Sequence, residues 1–175
     1  MSYRIVIASL VIFVTLLGGC ASGVTRQDSA PTIHRMSAGQ KVKNVSLSMT
    51  PEVKASLNDN IKFNPDSLAT MVNRRLELNG LSAQDGSHSL NIVVKEVRVR
   101  STIAAVMFGF MAGNDKVVGD VEVKDAAGKT LDKFEISASY ALGGWGGGQD
   151  DSRMNWLYEE FSKHLVTQLK GEATK

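Results

Sequence analysis

The feature that most constrains the fold is a long alternation of apolar and polar residues between positions 117 and 140. One apolar row comprises Val117, Gly119, Val121 and Val123, and the matching row comprises Phe134, Ile136, Ala138 and Tyr140. A period of two predicts half-buried strands, and Asp125-Ala126-Ala127-Gly128 is a natural four-residue turn, with Gly128 available for positive φ. Such a turn pairs Lys124 with Lys129 and Gly119 with Phe134. Both apolar rows then lie on one face of a hairpin.

The rest of the chain supplies two further strands and two helices. Val45, Leu47 and Met49 alternate with polar residues and predict a strand, and a second strand around positions 90–99 changes face, which indicates a bulge near Lys95-Glu96. Asn64 and Pro65 predict a helix start, and Asn79-Gly80 a helix end. The last helix, from about Asp151 to Lys170, carries an apolar stripe of Met154, Leu157, Tyr158, Phe161, Leu165 and Leu169.

These elements predict an α+β fold in the order strand-helix-strand-hairpin-helix. We expect an antiparallel sheet of about four strands with helices packed on one face. Arg75 lies within the apolar stripe of the first long helix, so this helix is expected to cover a sheet edge.

The N-terminus carries a short uncharged run, Ile5 to Leu17, after the single basic residue Arg4. Its thirteen residues span about 20 Å as a helix, less than the ~30 Å hydrocarbon core, which is typical of an export signal. Leu17-Gly18-Gly19-Cys20 follows and resembles a bacterial lipobox, in which the cysteine receives a diacylglyceryl group and the chain is cut before it. The resemblance implies a signal peptide at 1–19 and a lipid, with palmitate, on Cys20. Ala21, because it is not Asp, implies sorting to the inner leaflet of the outer membrane.

Composition suggests how the remaining chain is organised. Residues 20–40 are rich in Ser, Ala, Gly and Thr and predict a lipidated, flexible tether of about 25 Å. Residues 41–170 form a single periplasmic domain, and 171–175 are a tail. A net charge of +2 without a dense basic cluster does not favour nucleic acid as a partner, and Lys95 to Arg100 are interpreted as a solvated face. The single cysteine, if lipidated, leaves no thiol for a disulfide or a metal.

Motifs of enzyme chemistry are weak in this sequence. Gly128-Lys129-Thr130 matches the tail of a P-loop, but Val123 stands where the first glycine is needed. The three histidines, His34, His88 and His164, have no partner at metal-ligand spacing, and no serine lies in a nucleophile-elbow motif. We therefore expect no enzyme, no cofactor and no metal site.

Two aromatic segments are the candidate partner-binding sites. Trp145 lies in the glycine-rich stretch from Gly143 to Gly148, either tucked onto the core or presented to a partner. Trp156 lies on the side of the last helix away from its apolar stripe. Phe108 and Phe110 belong to an apolar run, Ile103 to Gly113, for which three alternatives stay open: packing on the sheet, an exposed partner patch, or insertion in a membrane.

A family resemblance rests on Arg98 and Arg100, Gly109 and Gly113 in the apolar run, Asp125 and Gly128 in the hairpin, and the glycine-rich segment before the last helix. In this layout the chain resembles small bacterial envelope lipoproteins with a domain of unknown function. The resemblance implies a non-catalytic binding or accessory module for other envelope components, with an envelope protein as partner. The alternative is an oligomeric, membrane-inserting or pore-like lipoprotein that uses residues 103–113.

Overall fold

The computed structural model describes residues 22–26, 33–57, 62–101, 113–141 and 150–172, which form one five-stranded sheet and three helices. The elements in chain order are β1 (Gly23–Thr25), β2 (Val42–Met49), α1 (Pro51–Leu57), α2 (Pro65–Leu78), β3 (His88–Arg98), β4 (Asp115–Asp125), β5 (Thr130–Tyr140) and α3 (Asp150–Lys170). The strand order across the sheet is β1-β5-β4-β3-β2.

The expectation of an antiparallel sheet of about four strands is wrong in two respects, the strand count and the strand direction. Strands β2 and β3 are parallel, while the other three strand pairs are antiparallel. The physical reason is the connection, because a parallel pair needs a long crossover, and α1 and α2 provide one between β2 and β3. The fold is thus mixed α/β.

The fifth strand, β1, comes from the segment predicted to be a flexible tether. Gly23–Thr25 pairs with the stretch of β5 from Glu135 to Ser137. Ser22 extends this pairing with its side chain, since its Oγ accepts the N–H of Ser139 at 2.9 Å and donates to the Ser139 carbonyl at 3.2 Å. Further along, the N–H of Met36 donates to the carbonyl of Leu169 at 2.8 Å. The described parts of residues 20–40 are therefore held on the domain.

The β4–β5 hairpin closes with a shorter loop than predicted. The N–H of Asp125 donates to the carbonyl of Lys129 at 3.0 Å, so the loop comprises residues 126–128, and Gly128 has φ +82°. The Asp125 carboxylate shapes this turn by accepting the N–H groups of Ala127 and Lys129, each at 2.9 Å, as aspartates in turns commonly do.

A bulge beyond this loop sets the register of the hairpin. Lys124 pairs with Thr130 and Val123 with Asp132, and Gly119 consequently pairs with Ile136 in place of Phe134. This shift of two residues keeps the parity of the strands. The prediction that both apolar rows lie on one face is confirmed.

The predicted bulge in β3 and the predicted ends of α2 are confirmed. Val94 pairs with Gly119 and Glu96 with Val118, which leaves Lys95 as the extra residue. At the start of α2, the side chain of Asn64 accepts the N–H groups of Asp66 and Ser67, as a helix N-cap does. At its end, Gly80 has φ +64° and the N–H of Leu81 donates to the Leu76 carbonyl at 2.8 Å. These two features form a Schellman motif.

The core lies between the helices and one face of the sheet. Helix α3 buries all six residues of its predicted stripe and packs against β4 and β5, and α2 packs against α3 and the edge strand β2. Gly119 makes room for Phe161, because a Cβ at this glycine would lie 3.2 Å from the phenyl ring.

The opposite face of the sheet is polar and carries cross-strand ion pairs. Lys95, for example, lies 2.9 Å from Asp120 and 2.6 Å from Glu135. Among the described residues, no helix has the combination of length and hydropathy that a membrane crossing requires.

Candidate functional site

Of the five residues predicted to act in anchoring or binding, only Trp156 belongs to the described part of the chain. Cys20, Phe108, Phe110 and Trp145 lie outside the described residues. Trp156 lies on α3, is 37% exposed, and packs on Tyr140 with ring centroids 5.1 Å apart. Its position at the surface agrees with the prediction that it points away from the apolar stripe.

Beside Trp156 lies a buried cluster formed by Arg100, Asp115 and Arg153, called here the Arg–Asp–Arg cluster. The Asp115 carboxylate is fully buried; its Oδ2 lies 3.1 Å from Nη2 of Arg100 and 3.0 Å from Nη1 of Arg153. Its Oδ1 accepts the backbone N–H of Arg100 at 2.7 Å. Two guanidinium groups therefore share one carboxylate away from water, which makes each of the three charges dependent on the others.

The Arg–Asp–Arg cluster also binds backbone carbonyl groups of described residues that flank residues 102–112 and 142–149. Arg100 donates to the carbonyls of Gly113 at 2.9 Å and Tyr140 at 3.2 Å, and Arg153 donates to the carbonyl of Arg100 at 3.1 Å. Residues 102–112 begin just after Arg100 and end just before Gly113, and residues 142–149 begin shortly after Tyr140. The cluster thus brings together the ends of the two segments that contain Phe108, Phe110 and Trp145.

None of the sequence-based predictions includes this cluster. The prediction that Arg100 belongs to a solvated face is wrong, because its guanidinium is buried and paired with Asp115. A signal was present in the sequence. Asp115 has the parity of the apolar row of β4, and Arg153 lies one residue before the stripe of α3, so both charged residues fall at core positions.

A second polar cluster closes the hairpin end of the same sheet face. Asp132 is buried, and its carboxylate accepts hydrogen bonds from both terminal nitrogens of Arg26, one of them at 3.0 Å. It also accepts the backbone N–H of His34 at 3.2 Å. The guanidinium of Arg26 also lies 5.3 Å from the centre of the Phe134 ring, within the range of a cation–π contact. These contacts fix two stretches of the predicted tether on the domain.

Two histidines face each other in this second cluster. Nε2 of His34 lies 3.2 Å from Nε2 of His88 while the ring centroids are 5.3 Å apart. The two nitrogens therefore lie between the rings, as in an N–H···N hydrogen bond. Ser87 Oγ lies 2.9 Å from Nδ1 of His88. Next to His88 is a cavity of about 260 Å³ that is also lined by Lys43, Ser87 and Asp125. In the described ranges, no three His, Cys, Asp or Glu side chains are grouped to hold a metal ion.

Two buried histidines have a lowered pKa. Burial is the main cause of the lowered pKa of His88, and His34 lowers it further, whereas Asp125 acts in the opposite direction. Burial likewise lowers the pKa of His164, although Glu160, whose Oε1 lies 3.1 Å from Nε2, opposes this effect. Both imidazoles are therefore neutral in the folded protein at neutral pH.

These lowered pKa values predict that acid destabilises the fold. As the pH falls below the ordinary histidine value of 6.5, the unfolded chain binds protons before the folded one does. The free energy of unfolding is therefore expected to be lower at pH 5.5 than at pH 7.5, as measured by urea titration. The double variant His88→Gln/His164→Gln should show a smaller difference between the two pH values. An equally steep pH dependence in the variant would contradict this assignment.

The described residues define a mixed α/β domain with helices on one face of the sheet, the buried Arg–Asp–Arg cluster at one end and the polar cluster around Asp132 at the other. The chain belongs to the family of the domain of unknown function DUF4410, whose model matches residues 24–144. No curated protein matches the chain.

Solved structures share the fold at low sequence identity. A PelC dodecamer from Paraburkholderia phytofirmans aligns with a TM-score of 0.52 and 16% identity, over 88% of this chain and 100% of that one. A variant of the same PelC in another crystal form also has a TM-score of 0.52 and 16% identity, over 85% and 98% of the two chains. A minor lipoprotein from Acinetobacter baumannii aligns more weakly, with a TM-score of 0.40 and 12% identity, over 74% of this chain and 93% of that one.

Proposed function

We propose that this protein is a lipid-anchored, non-catalytic binding module of the cell envelope. Its partner surface is the end of the sheet held by the Arg–Asp–Arg cluster. The observation that carries the proposal is the set of hydrogen bonds from Arg100 and Arg153 to backbone carbonyls at the ends of residues 102–112 and 142–149. These contacts support a composite surface, since they place the ends of two aromatic-bearing segments side by side.

The chemistry of this end suits protein recognition. Aromatic side chains at a rigid, partly exposed position are typical centres of protein interfaces. Trp156 has this character, because Tyr140 supports its ring and the carbonyl of Tyr140 is itself held by Arg100. Because the Trp156 ring is already held in place by Tyr140, less conformational entropy is lost when a partner binds it. The partner is therefore proposed to be an envelope protein with an apolar surface.

The anchor is the second part of the proposal. Lipidation of Cys20 rests on the lipobox resemblance of Leu17-Gly18-Gly19-Cys20, and Ala21 supports the inner leaflet of the outer membrane as the location. We expect Cys20→Ala to abolish the incorporation of radioactive palmitate into the full chain. Undiminished labelling of that variant would contradict the anchor.

Photo-cross-linking in living cells tests the partner surface. We expect benzoylphenylalanine in place of Trp156 to capture one or a few envelope proteins. The same probe in place of Leu78, which is 75% exposed on α2, is the matched control and should capture several-fold less. The Cys20→Ala change should reduce capture at position 156, because a lipid no longer anchors the domain at the outer membrane. Equal capture from both positions would overturn the proposed surface.

An oligomeric lipoprotein that inserts residues 103–113 in a membrane is the second candidate. The fold likeness to PelC dodecamers favours the oligomeric part of this alternative. It predicts that the chain lacking residues 1–20 still floats with lipid vesicles and that Phe108→Lys abolishes flotation, because a lysine in the hydrocarbon core costs about 2.5–3.5 kcal/mol. Failure of the chain lacking residues 1–20 to float would remove this candidate.

A further inference from the structure

Strand β2 forms one edge of the sheet, and part of that edge is open. Parallel pairing with β3 runs from Val42 to Met49, and the N–H of Thr50 continues it by donating to the Val94 carbonyl at 3.0 Å. In a parallel ladder, alternate residues of a strand bond to the same neighbour. Asn44, Ser46 and Ser48 therefore face β3, and the N–H and C=O groups of Val45, Leu47 and Met49 face outward. Within the described ranges, no backbone partner occurs for these six groups.

The open stretch has well-defined limits. At one end Val42 is already paired on its outer side, since its N–H donates to the Leu81 carbonyl at 2.7 Å and its own carbonyl accepts the N–H of Ala83 at 3.1 Å. At the other end, α1 begins at Pro51. The free edge thus extends from about Asn44 to Thr50, and Leu47 is at its centre.

In the part of the chain that the structure describes, this edge lacks the features that usually prevent strands from associating. Natural edges are protected by charged residues, proline, bulges or a covering segment. The bulge of β2 lies at Val42–Asn44, before the open stretch, and Asn44 to Met49 contains no charge, proline or glycine. Its side chains also alternate, with half-buried Val45, Leu47 and Met49 on the helix-covered face and exposed Ser46 and Ser48 on the other.

We propose that β2 pairs antiparallel with β2 of a second copy of this chain, with Leu47 opposite Leu47. This register joins the three outward N–H and three outward C=O groups of each copy in six hydrogen bonds. Apolar residues then meet apolar ones, Val45 opposite Met49, and hydroxyls meet hydroxyls, Ser46 opposite Ser48. The two sheets become one ten-stranded sheet with a two-fold axis at Leu47. The dimer goes beyond the proposed function and does not depend on the surface around Trp156.

Two charge variants on the exposed face of β2 test both the pairing and its register. In Ser46→Lys/Ser48→Lys, each lysine lies opposite a lysine of the other copy. In Ser46→Lys/Ser48→Glu, each lysine lies opposite a glutamate. Both variants change the same two exposed positions and lose the same hydrogen bond from Ser46 Oγ to Asn91. The probe is the full chain in detergent, and its protein mass is measured by light scattering over a range of concentrations.

We expect the wild type to be a dimer and the Lys/Glu variant to remain one. The Lys/Lys variant should dissociate, with a dimer dissociation constant higher than that of the Lys/Glu variant by about tenfold or more. A monomeric wild type would overturn the proposal, as would equal dissociation constants for the two variants. An assembly larger than a dimer that the Lys/Lys change leaves intact would also overturn it, by assigning assembly to another surface. Cross-linking at position 156 would be unaffected in either case.

Discussion

Replacing Asp115 with asparagine is expected to lower the free energy of unfolding by about 3–5 kcal/mol, the cost of breaking a buried ion pair by removing one partner. The carboxylate lies within 3.1 Å of both Arg100 and Arg153, and all three side chains are at most 2% exposed. Asparagine keeps the size of the side chain but removes its charge. Both guanidinium groups would then lose this buried carboxylate as their shared partner, and urea unfolding measures the loss.

Asp120→Asn is the matched control, with the same substitution five residues further along β4. The Asp120 carboxylate is 31% exposed and pairs with Lys95 on the polar face of the sheet. Exposed ion pairs contribute about 0–1 kcal/mol, so this variant should unfold almost as the wild type does. Similar losses in the two variants would show that burial of the Arg–Asp–Arg cluster does not determine its energy.

Replacing Phe161 with alanine should cost about 3–5 kcal/mol, since the ring is fully buried where α3 crosses the sheet. The site has little capacity to collapse, because Gly119, which faces the ring from β4, has no side chain to fill the space. Ile136 lies opposite Gly119 on β5. Its replacement by alanine should cost about 2–5 kcal/mol for the same reason. Losses below about 0.5 kcal/mol in both variants would mean that the assigned core faces are wrong.

Two further variants isolate the Phe161–Gly119 contact. Trp156→Ala removes a larger aromatic ring from the outer side of the same helix, and it should cost only about 1 kcal/mol. Gly119→Ala should destabilise the wild type, because its methyl group would crowd the Phe161 ring, but it should be tolerated when Phe161 is already alanine. Strict additivity of these two changes would contradict the contact.

The parts of the fold that follow local rules could be predicted from the sequence. The alternation in β4 and β5 identified the buried face even though the register was wrong, because the shorter loop and the bulge together shift the pairing by two residues, which preserves strand parity. The bulge at Lys95 and the ends of α2 were also predicted, since each depends on a few neighbouring residues. Asn64 and Gly80 carry their conformational preferences wherever the chain places them.

The parts that depend on distant contacts were not predicted. The direction of β2 relative to β3 is set by the crossover through α1 and α2, and not by the residues of either strand. β1 has only three residues, too few for a periodic pattern, and it exists because β5 offers an edge. The burial of Arg100 depends on Asp115 and Arg153, which are far from it in sequence. A charge cannot be assigned to the interior until its counter-charge is found.

The position of β1 has a consequence for a lipid on Cys20. Gly23 enters the sheet three residues after Cys20, and three extended residues reach only about 10 Å. The link between a lipid on Cys20 and the domain would then be much shorter than the tether of about 25 Å that composition suggests. The domain would stand at a fixed height above the headgroups with its β1 edge toward them and would turn mainly about the membrane normal. Its encounters with other membrane-bound proteins would then take place within a thin layer, in two dimensions, with the same side always facing the bilayer.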